Sequence, residues 1–367
     1  MDKRIKIALA FACVVLVAVL AGCGFGFGSE NTGVEIDPPQ EEHYVEEGSE
    51  LDEALQENSE QSDDAANEPA NEESAAQKTV KRQLFLIDSN GMVVPQMIDV
   101  PVPDSKEVAT QALEYLVKDG PVTEFLPNGF QAVLPAGTQV LGVNIKDGTA
   151  IADFSEEFKE YEAADELKIL QAITWTLTQF DSIDRVKIRI NGYDQNVMPV
   201  NGTPIGDGLS RSDGINIDPG NITDLSNSIG VTIYFLAQSG DSSYYVPVTK
   251  RVSDVESNKV AAIIQGLVEG PSLESGLFSD FSKEVELLDS SINDEGLLTL
   301  NFNEALLDNQ KVISDAALNS LVLSLTEQNE IKEVAIQVNG DENVLTESGE
   351  SLAQPVTRDT VTKTIGF

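Results

Sequence analysis

VKIRING (186–192) returns as VAIQVNG (334–340), 148 residues further along the chain. In both, apolar residues alternate with polar or small ones: Val186, Ile188 and Ile190, then Val334, Ile336 and Val338. That is the period of a strand with one buried face, and the closing Asn-Gly is a tight-turn pair. The same offset carries GTAIADF (148–154) onto GLLTLNF (296–302) and QLFLID (83–88) onto VTIYFL (231–236). Gly120-Pro121 and Gly270-Pro271 match at an offset of 150, so a small length change in the middle is later compensated. Blocks that share one offset over such a length identify a duplicated domain.

Read by period, each copy is β-β-α-β-β-α-β. The opening strand is followed by a second extended stretch, 92–100 or 243–251. The first helix places Val108, Ala112, Tyr115 and Leu116 on one stripe, and in the second copy Val260, Ile263, Ile264, Leu267 and Val268. Gly-Pro is expected to stop both helices, glycine taking a left-handed cap. Asp147-Gly148 predicts a type I′ hairpin between strands 140–146 and 149–154. The second helix carries Leu170, Ile173, Leu177 and Phe180, matched by Leu318, Leu321 and Leu325. The economical architecture is α+β: two tandem small domains, each a mainly antiparallel sheet with two helices on one face. The first copy takes 80–200 and the second 229–367. Between them, 201–228 is rich in Gly, Asp, Asn, Ser and Pro and reads as a linker. Leu352, Val356, Val361 and Ile365 in the tail are expected to add an edge strand to the second domain.

The N-terminus says where the chain works. Lys3, Arg4 and Lys6 precede an apolar run over 7–20 that ends in Leu20-Ala21-Gly22-Cys23. This is a secretory signal over 1–22, and the run is shorter than the roughly 20 residues a bilayer span needs. Small residues before a cysteine make a lipobox, so the segment resembles bacterial lipoprotein precursors. That resemblance makes Cys23 the lipidated first residue. Cys13 lies in the removed segment and no cysteine follows Cys23, so the mature chain forms no internal disulfide. Residues 23–79 hold this cysteine and an acidic stretch that buries too little apolar area to fold, a disordered tether.

With 23 basic against 62 acidic residues, the formal charge of −39 excludes a nucleic-acid binder and any attachment to anionic headgroups by charge. The single histidine, His43, lies in the tether, which excludes His-dependent triads, zinc sites and general bases from the folded part. Glu156-Glu157 reads as solvated surface. Loops begun at Asp207 or Asp213 fail the oxygen spacing of a calcium-binding EF-hand, and no phosphate- or dinucleotide-binding glycine loop follows a strand. No catalytic residue, metal ligand or cofactor is expected. Trp175 lies off the apolar stripe of the second helix, with Leu323 in its place in the second copy. Two readings stay open: both pack against the first helix of their own domain, or both mark an interface.

Lipobox, acidic tether and two β-rich units ending in alternating strand plus Asn-Gly resemble the GerMN-domain family of spore-germination lipoproteins, over roughly 81 to the C-terminus. The resemblance implies sporulation and germination in an endospore former, without catalytic residues. It also implies partners among the envelope proteins of the complex between forespore and mother-cell membranes, and domains similar to the ring-building modules of secretion systems. The expected place is the outer forespore membrane, lipid-anchored at Cys23 and facing the intermembrane space. Self-association of the two modules belongs to that expectation. A lipoprotein that takes cell-wall fragments or a small solute in an interdomain cleft is the rival, and a carboxylate-only hydrolase a third reading.

Overall fold

A computed structural model describes residues 79–102, 107–218, 228–240, 242–253 and 258–365. Cys23, the signal segment and the acidic stretch lie outside them.

The first copy opens on a hairpin, β1 (Thr79–Ile87) and β2 (Val93–Pro101), followed by helix α1 (Val108–Glu114). Strands β3 (Val140–Lys146) and β4 (Thr149–Phe154), helix α2 (Glu166–Leu177), β5 (Arg185–Ile190) and the short β6 (Tyr193–Asp194) complete it. The second copy repeats this with β7 (Ser228–Ser239), β8 (Ser242–Ser253), α3 (Lys259–Glu269), β9 (Leu287–Ile292) and β10 (Leu297–Phe302). After the two-residue β11 (Val312–Ile313) come α4 (Asp315–Leu325) and β12 (Glu333–Val338). Asp147 and Gly148 both take positive φ, 50° and 74°, as the hairpin turn demands. Asn191-Gly192 and Asn339-Gly340 do the same. There the Gly192 N–H donates to Asp153 and the Gly340 N–H to Asn301, 3.0 and 2.9 Å, so the turn clamp is itself duplicated.

Within the α+β frame, each copy holds two main sheets rather than one among the described residues. The hairpin β1–β2 stands apart from the sheet β3-β4-β5-β6, and β7–β8 apart from β14-β12-β10-β9, where β14 is Val356–Thr357; β13 (Leu345–Thr346) pairs only with β11, in a short ladder of its own. The reason lies in α2 and α4. Ten of the twelve residues of α2 are buried, as are nine of the eleven of α4, because each helix has a hairpin on one side and a sheet on the other. A hydroxyl on each helix fixes the hairpin: Phe85 N–H donates to Thr176 Oγ1 at 3.1 Å and Tyr234 N–H to Ser324 Oγ at 2.9 Å. Because α2 crosses from β4 to β5, those two strands pair in parallel, as do β10 and β12. The outer strands β3 and β9 each carry one extra residue, Leu141 and Leu288, which bends and blunts the open edge.

The glycine caps differ between copies. Gly270 ends α3 with a positive φ of 74°, but its ψ of −179° is extended rather than that of a left-handed cap, whereas α1 stops at Glu114 and Gly120 is extended, φ −91°. Gly120 is required for another reason: a Cβ there would stand 2.9 Å from the Val117 carbonyl oxygen. Gly120→Ala is expected to destabilise the fold by about 1–3 kcal/mol. Urea denaturation checks it, and an unchanged midpoint would show that the loop gives way.

The stretch between the copies is built into the fold as far as Asp218. Leu209 bridges Val186, Ile205 and Ile215 are buried, and a 3-10 turn at Arg211–Asp213 carries a Ser210/Asp213 capping box. The tail supplies the edge strand β14 on β12, then α5 (Arg358–Ile365), with Val361 buried.

Candidate functional site: the junction between the copies

The two copies meet through matching elements, β2 against β8 and the C-terminal ends of α2 and α4. Among the described residues, three groups of contacts hold them.

The first is a buried carboxylate between two arginines. Arg211 donates from Nε to Thr178 Oγ1 at 3.0 Å, at the end of α2, and from Nη1 to Glu327 Oε1 at 2.6 Å, beyond the end of α4. Its guanidinium lies 4.6 Å from the Trp175 ring centroid. Arg358 does the matching work in the second copy, donating to the Leu323 carbonyl at 2.9 Å and to Thr326 Oγ1 at 3.2 Å. Its other nitrogen reaches Tyr234 Oη at 2.7 Å and Glu327 Oε2 at 3.1 Å, and the Tyr234 hydroxyl donates to the same oxygen at 2.9 Å. Two cations face one anion, and the carbonyl ends of two helices, each worth roughly half a negative charge, offset the excess. Burial alone would push the Glu327 carboxyl upward, but Arg211 and Arg358 outweigh it and hold it below the usual carboxylate range. Burial pushes the Tyr234 phenol up.

The second group is Asn216, which holds a left-handed φ of 44° and bonds both copies. Its Oδ1 accepts from Val93 N–H at 2.9 Å, and its Nδ2 donates to the carbonyls of Val93 at 2.7 Å and Pro247 at 2.8 Å. Beside it, Ile215 N–H donates to Thr249 Oγ1, and Thr249 N–H donates back to Ile215 O. The third is Tyr244, whose hydroxyl donates to the buried Asp88 at 2.7 Å and whose ring meets Phe130 edge-on at 5.1 Å. Val94 of the first copy completes the apolar cluster of the second.

The residues singled out from sequence fall as follows. Trp175 and Leu323 are both fully buried, so neither presents a side chain to an outside partner. Trp175 packs on Phe85 of β1, ring centroids 5.5 Å apart, because the hairpin forms a second sheet on that side of the helix. It reaches the junction indirectly, as the platform under Arg211. Cys23 and His43 lie outside the described residues. Glu156 bonds Lys159 at 2.6 Å and Asn191 at 3.1 Å on the surface, while Glu157 is exposed. Among the described residues no three His, Cys, Asp or Glu side chains gather as metal ligands. Sequence reading missed Arg211, Asn216, Tyr244, Glu327 and Arg358. A signal existed: Arg211 and Arg358 stand 147 apart, within one residue of the repeat offset.

Two clefts, of about 280 and 290 Å³, are each lined by one copy. One is bordered by Asp88, Lys118, Asp165 and Lys168, the other by Asp315, Asn319, Glu350 and Thr360.

Comparison with known proteins is consistent across the chain. The family model Germane, described as sporulation and spore germination, matches residues 83–196 and 232–344. The spore germination protein GerM of Bacillus subtilis (strain 168) is 49% identical over 348 residues, which cover 92% of this chain and 93% of that protein. The solved tandem GerMN domains of the sporulation protein GerM from Bacillus subtilis superpose with a TM-score of 0.72 at 54% identity, covering 76% of this chain and 98% of that one.

Proposed function

The chain belongs to the Germane family of sporulation and spore germination, and from that premise we propose a non-catalytic, lipid-anchored assembly protein of the sporulation envelope. It is held at the outer forespore membrane by lipid on Cys23, faces the intermembrane space, and joins envelope proteins of the complex between the two membranes. The observation that carries this reading is the junction. Buried ion pairing and interlocked hydrogen bonds make one body of two modules, which suits a part that must hold a fixed shape in a larger structure. The rival, a solute bound in a cleft between domains, is disfavoured because buried side chains, Glu327, Tyr244 and Asp88, occupy the described junction.

Cys23→Ser tests the anchor. The expected product leaves the membrane fraction while its core from residue 79 onward resists protease as before. A variant that stays on the membrane would overturn lipid anchoring. Cross-linking in sporulating cells tests the assembly: adducts with envelope proteins are expected, and a chain recovered only as monomer would count against it.

A further inference from the structure

The solvent-facing sides of the two sheets differ in charge at matched positions. On the first copy the strand register sets Lys146, Thr149 and Arg185 in one row and Asn144, Ile151 and Lys187 in the next. The third row is Asp153, Arg189 and Asp194, in which Arg189 is engaged by Asp194 and faces Asp153. Asp194 also faces Lys187, and Asp147 and Asp184 flank the turn. Two of the three rows therefore carry cations and no acid. The matching rows of the second copy are Leu297 and Glu333; Ser291, Thr299 and Ala335; and Asp289, Asn301 and Gln337. The first and third of them carry one acid each and none carries a cation, with Glu342 on Gln337 and Lys332 at the Gly296 turn. Arg185 and Arg189 lie about 13 Å apart along β5, more than the Debye length of about 8 Å at physiological salt. A contacting surface thus feels this local field rather than the net charge of −39.

The occupant follows from the junction. Because the copies dock through equivalent hairpins and helix ends, that face is used up within one chain and cannot propagate. Among the described residues the sheet faces remain open, and every other copy of the same chain offers the second sheet, two rows of which carry an acid and none a cation. We propose that chains associate heterologously, the open sheet of the first copy in one chain against the open sheet of the second copy in another. Lys146 and Lys187 then meet Glu333 and Asp289. This rests on the assembly reading above and names its surface.

No cysteine follows Cys23, so single cysteines report the contact cleanly. Full-length chains carrying Ile151→Cys and Thr299→Cys under separate tags, co-expressed in sporulating cells and oxidised, are expected to give a mixed dimer. Lys146→Glu with Lys187→Glu should cut its yield about tenfold, and Glu333→Lys with Asp289→Lys on the other chain should restore it. Arg185 is kept because it bonds Gly208. Absence of the mixed dimer, or a dimer indifferent to both reversals, overturns the proposal. Cross-links to envelope proteins that survive while the mixed dimer is absent would leave the assembly reading standing; loss of both would sink the two together.

Discussion

Glu327→Ala is expected to cost the folded chain about 3–5 kcal/mol, because it leaves two largely buried guanidinium groups without their shared anion. Arg211 and Arg358 lie 2.6 and 3.1 Å from its two oxygens, and the carboxylate side chain is only 6% exposed. Each arginine would keep its helix-end partners, but those oxygens carry partial charge only. Glu327→Gln keeps the size and one acceptor, yet loses the charge and should fall nearly as far. The pH dependence has a definite sign. The folded carboxyl titrates below its unfolded value, since the two arginines outweigh the opposing effect of burial. The stability it supplies is complete above the unfolded pKa of about 4.3 and drains away as pH falls through the lower folded value. Urea midpoints of the natural chain and Glu327→Gln should therefore stand well apart at neutral pH and converge below about pH 4. A constant gap, or a neutral-pH loss under about 1 kcal/mol, would show that water reaches the carboxylate.

What could be read in advance follows from the range of each interaction. The repeat, the alternating strands and the Asn-Gly turns are local, and the residues on their buried faces are those that form the cores: Val186, Ile188 and Ile190 beside Val334, Ile336 and Val338. The helix stripes were legible for the same reason, with Ile263, Ile264 and Leu267 all inside. The division into two sheets was written less plainly. Trp175 and Leu323, off the stripe, belong to helices buried on nearly every side, and only a second covering layer explains that. Apart from the repeat-spaced pair Arg211 and Arg358, the junction was not legible. Asn216 joins Val93 to Pro247 across 123 and 31 residues, and its neighbourhood in sequence reads as a polar connection. A pairing fixed by how two finished domains meet leaves no periodicity behind. The glycine before each proline illustrates the limit: one dipeptide supplies a positive φ at the end of α3 at Gly270 and relief from the Val117 carbonyl at Gly120.

Trp175→Ala should be the costliest truncation in the first copy, about 3–5 kcal/mol. The side chain is wholly buried, so its removal opens a cavity beneath Phe85 and takes away the surface on which the Arg211 guanidinium lies at 4.6 Å. The second loss reaches beyond the first copy, because Arg211 is the group that carries α2 to Glu327. A double-mutant cycle of Trp175→Ala with Glu327→Ala should therefore show coupling of about 0.5–3 kcal/mol rather than a simple sum. Leu323→Ala supplies the control. It should cost about 2–5 kcal/mol by its own cavity, but Arg358 stacks over Tyr234, 5.2 Å from its centroid, and bonds only the main chain of Leu323. Its coupling to Glu327 should be small. Trp175→Phe separates volume from polarity: the indole N–H has no acceptor among the described residues, so phenylalanine removes a buried unsatisfied donor while keeping a ring under Arg211. That variant should retain most of the stability lost in Trp175→Ala. Strict additivity in the cycle would show that Trp175 serves its own core alone, and that Arg211 holds the two copies together without it.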